Sequence, residues 1–216
     1  GDCREALPTL GRVDAVVTDP PYGTGCAPRG GKSAGSISFT SAPDLTWDNF
    51  DASWLQGVFA MKIRAIAIFC HHRMIGQISR AIDADATFAY VKSNPSPFGT
   101  SWEACVAVGL NKQNPQHVTA YNAFNGQEHP TQKPVEVMEF IIRKAPGETI
   151  LDPFAGSGTT GVACARLGRR FIGIEVYEPY FNIACRRIEH AQRQKDLFVH
   201  APGVPKQKPG DLFADV

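Results

Sequence analysis

One unit near the C-terminus constrains the fold more than any other. Glu148–Leu151, with its apolar Ile150-Leu151, reads as a strand ending at Asp152. Thr159–Leu167 reads as a helix closed by Gly168, and Phe171–Ile174 as a second strand ending at Glu175. Between the first strand and the helix runs Asp152-Pro153-Phe154-Ala155-Gly156-Ser157-Gly158-Thr159-Thr160-Gly161, with its three glycines at GxGxxG spacing. Strand, glycine loop, helix and strand make a βαβ unit, which commits the chain to a parallel sheet with helices against it. The glycines let a ligand lie against bare backbone at a helix N-terminus. A carboxylate at the second strand end can accept both hydroxyls of a ribose. The unit therefore predicts an adenosine-containing ligand. A pyrophosphate would meet the Asp152 charge, and the glycines begin well beyond the strand end, which makes a wide loop. A ligand with a cationic centre and an ammonium group, such as S-adenosylmethionine, fits better.

The second feature is Asp19-Pro20-Pro21-Tyr22, directly after the apolar run Val13–Val17. The two prolines fix φ and remove two backbone donors. Asp19 and the Pro20 carbonyl are acceptors, and Tyr22 offers a flat ring. That set suits a planar group with an exocyclic NH₂: two acceptors take its hydrogens while a ring stacks on its face. By itself the tetrapeptide also reads as a proline turn closing a strand.

The rest of the chain alternates in the same manner. Arg4–Leu10 is a short helical turn. Gly23–Pro43 is rich in Gly, Ser and Pro, with Arg29 and Lys32 and no acid, and predicts a long, mobile, basic loop over 23–46. A helix capped by Asp51 runs to about Lys62, Ile63–Phe69 is a buried strand, and Met74–Ile82 has helical period. Thr87–Val91 and Ala104–Val108 form a hairpin-like pair of strands. Leu110–Glu128 reads as loop, Val135–Lys144 as a helix opened by Pro134, and Pro179–Gln192 as a helix. The predicted fold is α/β: one Rossmann-like domain over 1–192, an open and mostly parallel sheet with one antiparallel hairpin, and helices on both faces. Residues 193–216 read as a C-terminal tail.

Composition excludes several classes. At 216 residues the chain can bury one sizeable core, and a net charge of +1 neither demands nor forbids a polyanionic partner. Six scattered cysteines without a Cys-x-x-Cys pair predict neither a zinc site nor a disulfide framework, so no metal is expected and the protein reads as reduced and cytoplasmic. No run is long and apolar enough to predict a membrane span.

Taken together, the two constellations resemble the permuted class of S-adenosylmethionine-dependent DNA amino-methyltransferases, in which the catalytic motif precedes the cofactor motif. Asp19–Tyr22 matches the catalytic motif and Asp152–Gly158 the cofactor loop. His129-Pro130-Thr131-Gln132-Lys133-Pro134 matches the block before the intervening helix. Gly1-Asp2-Cys3, and Lys92–Glu103 with its Asn94-Pro95, fit the same order. The resemblance implies a methyltransferase fold and roles for single residues. Asp2 and Cys3 would lie near the cofactor adenine, and Glu175 would hold the ribose hydroxyls. Phe154 would pack on the adenosine, within the loop Asp152, Pro153, Phe154, Ala155, Gly156, Ser157 and Gly158. Asp152, Gly156 and Gly158 would line the methionine part, and Lys133 would reach its carboxylate, with Thr131 beside it. Asp19 and Pro20 would grip the target amine, Pro21 would stiffen the turn, and Tyr22 would stack on a base flipped out of DNA. The Asp-first motif implies N6 of adenine. Cytosine N4 and RNA adenine are the alternatives within this chemistry, and a nicotinamide-dependent oxidoreductase or a non-catalytic nucleic-acid binder are those outside it.

Two departures from that pattern carry expectations of their own. The chain starts where the family would have just finished a strand, so a sheet edge is expected to need cover. Only the short segment 110–128 is available for target recognition, which points to the 23–46 loop, a homodimer or a recognition subunit. Gln194-Lys195-Asp196-Leu197-Phe198 resembles a peptide that docks on the replication sliding clamp.

Overall fold

The computed structural model describes residues 1–21, 53–93, 101–121 and 132–199, with side chains described up to residue 194 in the last segment. Its elements in chain order are α1 (Cys3–Ala6), a 3₁₀ turn (Leu7–Thr9), β1 (Ala15–Thr18), α2 (Trp54–Ala60), β2 (Ala65–Cys70), a 3₁₀ turn (His72–Met74), α3 (Ile75–Ile82), β3 (Ala86–Lys92), β4 (Trp102–Val108), β5 (His117–Ala120), α4 (Val135–Lys144), β6 (Thr149–Asp152), α5 (Thr159–Leu167), β7 (Arg170–Gly173) and α6 (Glu178–Val199).

The strands form one seven-stranded sheet in the order β5-β3-β4-β2-β1-β6-β7. Only β4 runs against its neighbours, pairing antiparallel with both β2 and β3. All other pairs are parallel. The continuous apolar runs of β1 and β2 follow from cover on both faces. Alternation then sorts their side chains. Ala15, Val17, Ala65, Ala67 and Phe69 face a core that includes Val137, Met138, Ile141 and Ile142 of α4. Val16, Ile66, Ile68 and Cys70 face the other core, with Leu7, Trp54, Leu55, Val58, Ile78 and Ile82. The period of two in the strands thus divides the molecule into two helix layers.

Several expected boundaries change. Residues 110–128 were expected to be loop, but His117–Ala120 adds a parallel strand at the edge beside β3. Only Ala120 of its four residues is buried, so the segment carries almost no apolar signal. β4 starts at Trp102 rather than Ala104, because Trp102 and Glu103 pair with Val91 and Tyr90. Asp51 lies outside the described residues; Ser53 stands at the N-cap of α2 and makes no side-chain cap bond. Pro134 is the N-cap of α4, not its first helical residue. α6 continues past Gln192 to Val199, through the start of the expected tail. No Gly or Pro interrupts that stretch, and Arg193 pairs with Glu189 one turn back. Gln194–Phe198 is therefore helical backbone.

Candidate active site at the carboxyl edge of the sheet

The chain leaves β1 towards β2 on one side, while β6 pairs on the other, so the strand order reverses beside β1. In open α/β sheets ligands bind outside the carboxyl ends of strands at such a reversal. Asp19 follows β1, Asp152 ends β6, and Glu175 lies just past β7. Because β4 is antiparallel, its first residues join this same edge: Ala104 pairs with Cys70, the last residue of β2, and Glu103 with Tyr90 near the end of β3.

The Asp19 half of the edge is a line of alternating charges. Lys133 Nζ lies 2.6 Å from Asp19 Oδ2 and 2.8 Å from Glu103 Oε2. Lys92 Nζ lies 2.6 Å from Glu103 Oε1. The Lys133 side chain is only 6% exposed and its ammonium stands 5.1 Å from the centre of the Phe69 ring. A buried ammonium is tolerated only when paired. Burial by itself would lower the Lys133 pKa, but the Asp19 and Glu103 charges outweigh it and hold the group above its ordinary value. Burial would likewise raise Glu103, and the Lys133 and Lys92 ammoniums reverse this to about 2. Burial pushes the neighbouring Cys70 thiol up to about 12, with the Asp19 charge adding to it. A thiol in that state is a poor nucleophile.

The resemblance placed Lys133 on a methionine carboxylate. In the structure its ammonium is committed to Asp19 and Glu103. Pro20 is buried and Pro21 half-buried behind Asp19. Tyr22 and Thr131 lie outside the described residues.

The glycine-loop half is organised by Asp152. Its carboxylate is turned into the fold: Oδ1 accepts from the Thr18 hydroxyl at 2.7 Å and the Phe154 N–H at 3.0 Å, and Oδ2 accepts from the Thr160 hydroxyl at 2.5 Å. The residue is 2% exposed, and burial, against those three bonds, raises its pKa to about 6. Asp152 thus pins the loop to β1 and α5 with its carboxylate turned away from solvent. Pro153 is buried beside it, and the half-buried Phe154 ring meets Trp54 edge to face at 5.2 Å. The Ala155 N–H donates to the Ile174 carbonyl, which ties the loop to the end of β7.

The three glycines serve different ends. Gly156 has φ +53°, a left-handed conformation that favours glycine, and its N–H donates to Glu175 Oε2 at 2.8 Å. A Cβ on Gly158 would lie 2.8 Å from Ala184 Cα, and one on Gly161 2.4 Å from Ile188 Cδ1. Gly158 and Gly161 therefore allow α6 to lie close to α5. The buried Ser157 donates its hydroxyl to Gln132 Oε1, and its Oγ and carbonyl accept from Arg187. Glu175 Oε1 accepts from the Tyr177 N–H. The Gly1 nitrogen donates to the Glu175 carbonyl at 2.9 Å, which brings Asp2 and Cys3 beside this strand end. Asp2 caps α1 and pairs with Arg4, whose hydrogen bonds hold its carboxyl at about 2. Cys3 is buried.

Sequence reasoning missed Lys92 and the role of Glu103, and with them Gln132, Arg187 and Trp54. The one local signal was an acid at the head of an apolar strand. Among the described residues, no group of three or more His, Cys, Asp or Glu is arranged to hold a metal, and no helix is long and apolar enough to cross a membrane.

Comparison with known proteins agrees with this geometry. Residues 84–186 match the family model N6_N4_Mtase, described as DNA methylase. The chain is 30% identical to the Escherichia coli (strain K12) protein named "Putative methylase YubD", over 89% of this chain and 90% of that one. It is 56% identical to the type II methyltransferase M2.DpnII of Streptococcus pneumoniae over 64 residues, which span 29% of this chain and only 24% of M2.DpnII. The crystal structure of the M1.HpyAVI–SAM complex superposes with a TM-score of 0.63 at 27% identity, over 87% of this chain and 96% of that chain. The sheet and its helices are thus those of the Rossmann-like methyltransferases, and the chain belongs to the N6/N4 DNA methylase family.

Proposed function

We propose that the protein transfers a methyl group from S-adenosylmethionine to the N6 amino group of adenine in DNA. The observation that carries this reading is the Asp19 carboxylate, set by Lys133 at the strand-order reversal, on the same sheet edge as the Gly156–Glu175 pair. It is an amine-binding acceptor beside a nucleoside-binding loop.

The residues present fit that cofactor. Glu175 engages two backbone N–H groups with its two carboxylate oxygens and can exchange them for a pair of ribose hydroxyls. Phe154 offers a ring for the adenosine, and Asp2 and Cys3 flank the same strand end. The buried Asp152, charged above about pH 6, disfavours a pyrophosphate at this loop. When bound, S-adenosylmethionine supplies an electrophilic methyl: a nitrogen forms the new N–C bond as the S–C bond breaks, and the electron pair goes to sulfur.

The protein's task is to make the amine a nucleophile. Asp19 and the Pro20 carbonyl accept its two hydrogens, which draws the lone pair out of the ring and aims it along the S–C axis. A carboxylate accepts several hydrogen bonds, so the Lys133 pair does not exhaust Asp19. Asp19 or solvent takes the proton released from the methylated nitrogen. Holding two reactants in line can supply roughly 7–11 kcal/mol of the barrier. In duplex DNA the base is flipped out at a cost of a few kcal/mol. Stacking on Tyr22, worth about 1–3 kcal/mol, offsets part of it. The Asp-first motif favours adenine; cytosine N4 is the second reading, since the family covers both.

The test incubates the protein with isotopically labelled S-adenosylmethionine and unmethylated duplex DNA, followed by digestion and mass spectrometry. N6-methyldeoxyadenosine is the expected product, lost at least 100-fold in Asp19→Ala while cofactor binding stays within a few-fold. N4-methyldeoxycytidine overturns the base assignment. A wild-type protein that yields no methylated nucleoside overturns the function.

A further inference from the structure

The charges behind Asp19 form a chain with a direction. Lys92, Glu103, Lys133 and Asp19 alternate in sign across contacts of 2.6, 2.8 and 2.6 Å. The side chains of Lys92, Glu103 and Lys133 are 14%, 16% and 6% exposed; Asp19, at 22%, is the most exposed member and ends the chain at the strand-order reversal. Such a chain is a poor way to stabilise a fold, because apolar side chains of similar volume commonly serve as well or better. It is a good way to fix one carboxylate. Lys133 Nζ contacts Oδ2, which limits rotation of the Asp19 carboxylate about its own axis. On its other side the ammonium meets Glu103, so its charge is shared between two carboxylates. Lys92 holds Glu103 in turn. The residues come from three places in the sequence, and only the antiparallel course of β4 brings Glu103 to this edge.

We infer that Lys133 and Glu103 are positioning residues for methyl transfer: Lys133 fixes the orientation and the anionic form of Asp19, and Glu103 divides the Lys133 charge so that Asp19 remains a strong acceptor for the target amine. This rests on the function proposed above. Lys133 alone on Asp19 would hold the carboxylate too tightly to receive an amine hydrogen well. Without Lys133, the carboxylate would lose the cation that orients it and would protonate more readily. Among the described residues, the other titratable groups at this cluster carry little charge at neutral pH: burial raises the Cys70 and Cys105 thiols from β2 and β4 and the Tyr90 phenol from β3, and lowers the His71 imidazole, which feels both Glu103 and Lys92. Among the described residues, Asp152 of β6 is a further anion coupled to Asp19, and it is held by three hydrogen bonds of its own.

The test compares Glu103→Gln, Lys133→Met and Lys133→Arg with the wild type in two measurements. The first is a carbon-13 NMR titration of the aspartate side-chain carboxyls, with Asp19 assigned through Asp19→Asn; it needs no turnover. The second is kcat, KM and the acid limb of the pH–rate profile for methyl transfer to DNA. Lys133→Met removes a cation, so Asp19 titrates at higher pH, by about one unit or more. Glu103→Gln removes a competing anion, so Asp19 titrates at lower pH. Lys133→Arg keeps a cation able to bridge two carboxylates and restores the wild-type position. The acid limb of kcat moves with the titration, kcat falls about 10- to 100-fold in the Gln and Met variants, and cofactor affinity stays within a few-fold. Glu103→Gln is isosteric, so the test stands on it alone if Lys133→Met does not fold. Opposed displacements that the acid limb and the size of kcat follow support the inference; a merely structural role shifts the titration but leaves kcat and its pH profile within about two-fold of the wild type. Unchanged Asp19 titration in both variants, or activity losses that track cofactor affinity, overturns it. Displaced titrations in a wild-type background that transfers no methyl group overturn the function itself and leave the coupling as a property of the fold.

Discussion

Asp152→Asn separates a buried charge from the loop it organises. Asp152 is 2% exposed and its pKa is raised to about 6 against 3.8 for a free carboxyl, because burial outweighs three hydrogen bonds. A folded-state value above the unfolded one means that the carboxyl contributes its full stability below about pH 4 and loses it as the pH rises through 6. The gap corresponds to about 3 kcal/mol. The amide keeps Oδ1 for Thr18 and the Phe154 N–H; at Oδ2 the Thr160 hydroxyl must turn from donor to acceptor, which a hydroxyl can do. Relative to the wild type, the variant is therefore expected to gain about 1–3 kcal/mol between pH 4 and pH 7.5. At this chain length each kcal/mol moves Tm by about 2–4 °C. Differential scanning calorimetry of both proteins across that range reads the change, and groups common to both cancel in the difference. A Tm difference that is constant with pH would refute the reasoning, since it would mean that the Asp152 charge is not penalised by burial.

Two further substitutions test the packing. Tyr90 is 2% exposed and its buried hydroxyl has no hydrogen-bond partner among the described residues, so Tyr90→Phe should leave stability unchanged or raise it by up to about 1 kcal/mol in chemical denaturation, and a loss above 1 kcal/mol would reveal a partner. Gly161→Ala drives a Cβ into Ile188 Cδ1 and places it 2.7 Å from Phe171 Cε1; overpacking of about 1–3 kcal/mol against a helix-propensity gain of about 1 leaves a net loss of up to about 2 kcal/mol, and a variant about 1 kcal/mol more stable than the wild type would show that α6 yields without cost.

Local signals were legible wherever one stretch carried both the pattern and its cause. α4 and α5 keep the bounds read from sequence, because each has an apolar period and a clear stop, Gly168 in the case of α5. The strand ends at Asp19, Asp152 and Glu175 were legible for the same reason: an apolar run stops at an acid. β5 was not, since its four residues bury almost nothing and its partner β3 is distant in sequence. The end of α6 was placed too early because Pro202, Pro205 and Pro209 mark the whole of 193–216 as tail, while its first residues, which lack Gly and Pro, continue the helix.

The sequence by itself determined the α/β architecture, the glycine loop with its strand-end acid, and the Asp19 turn, all of which follow from periodicity and backbone chemistry within about 30 residues. Tertiary structure decided what the charged side chains do. Lys133 meets a carboxylate 114 positions away, and Asp152 turns inward to a hydroxyl 134 positions away. Gly158 and Gly161 let α6 pack close to α5, a contact that no GxGxxG spacing foretells. The reason is physical: backbone propensity is local, whereas a buried charge or a close helix approach takes its partner from whatever the fold brings within reach. No motif can name that partner before the sheet is assembled.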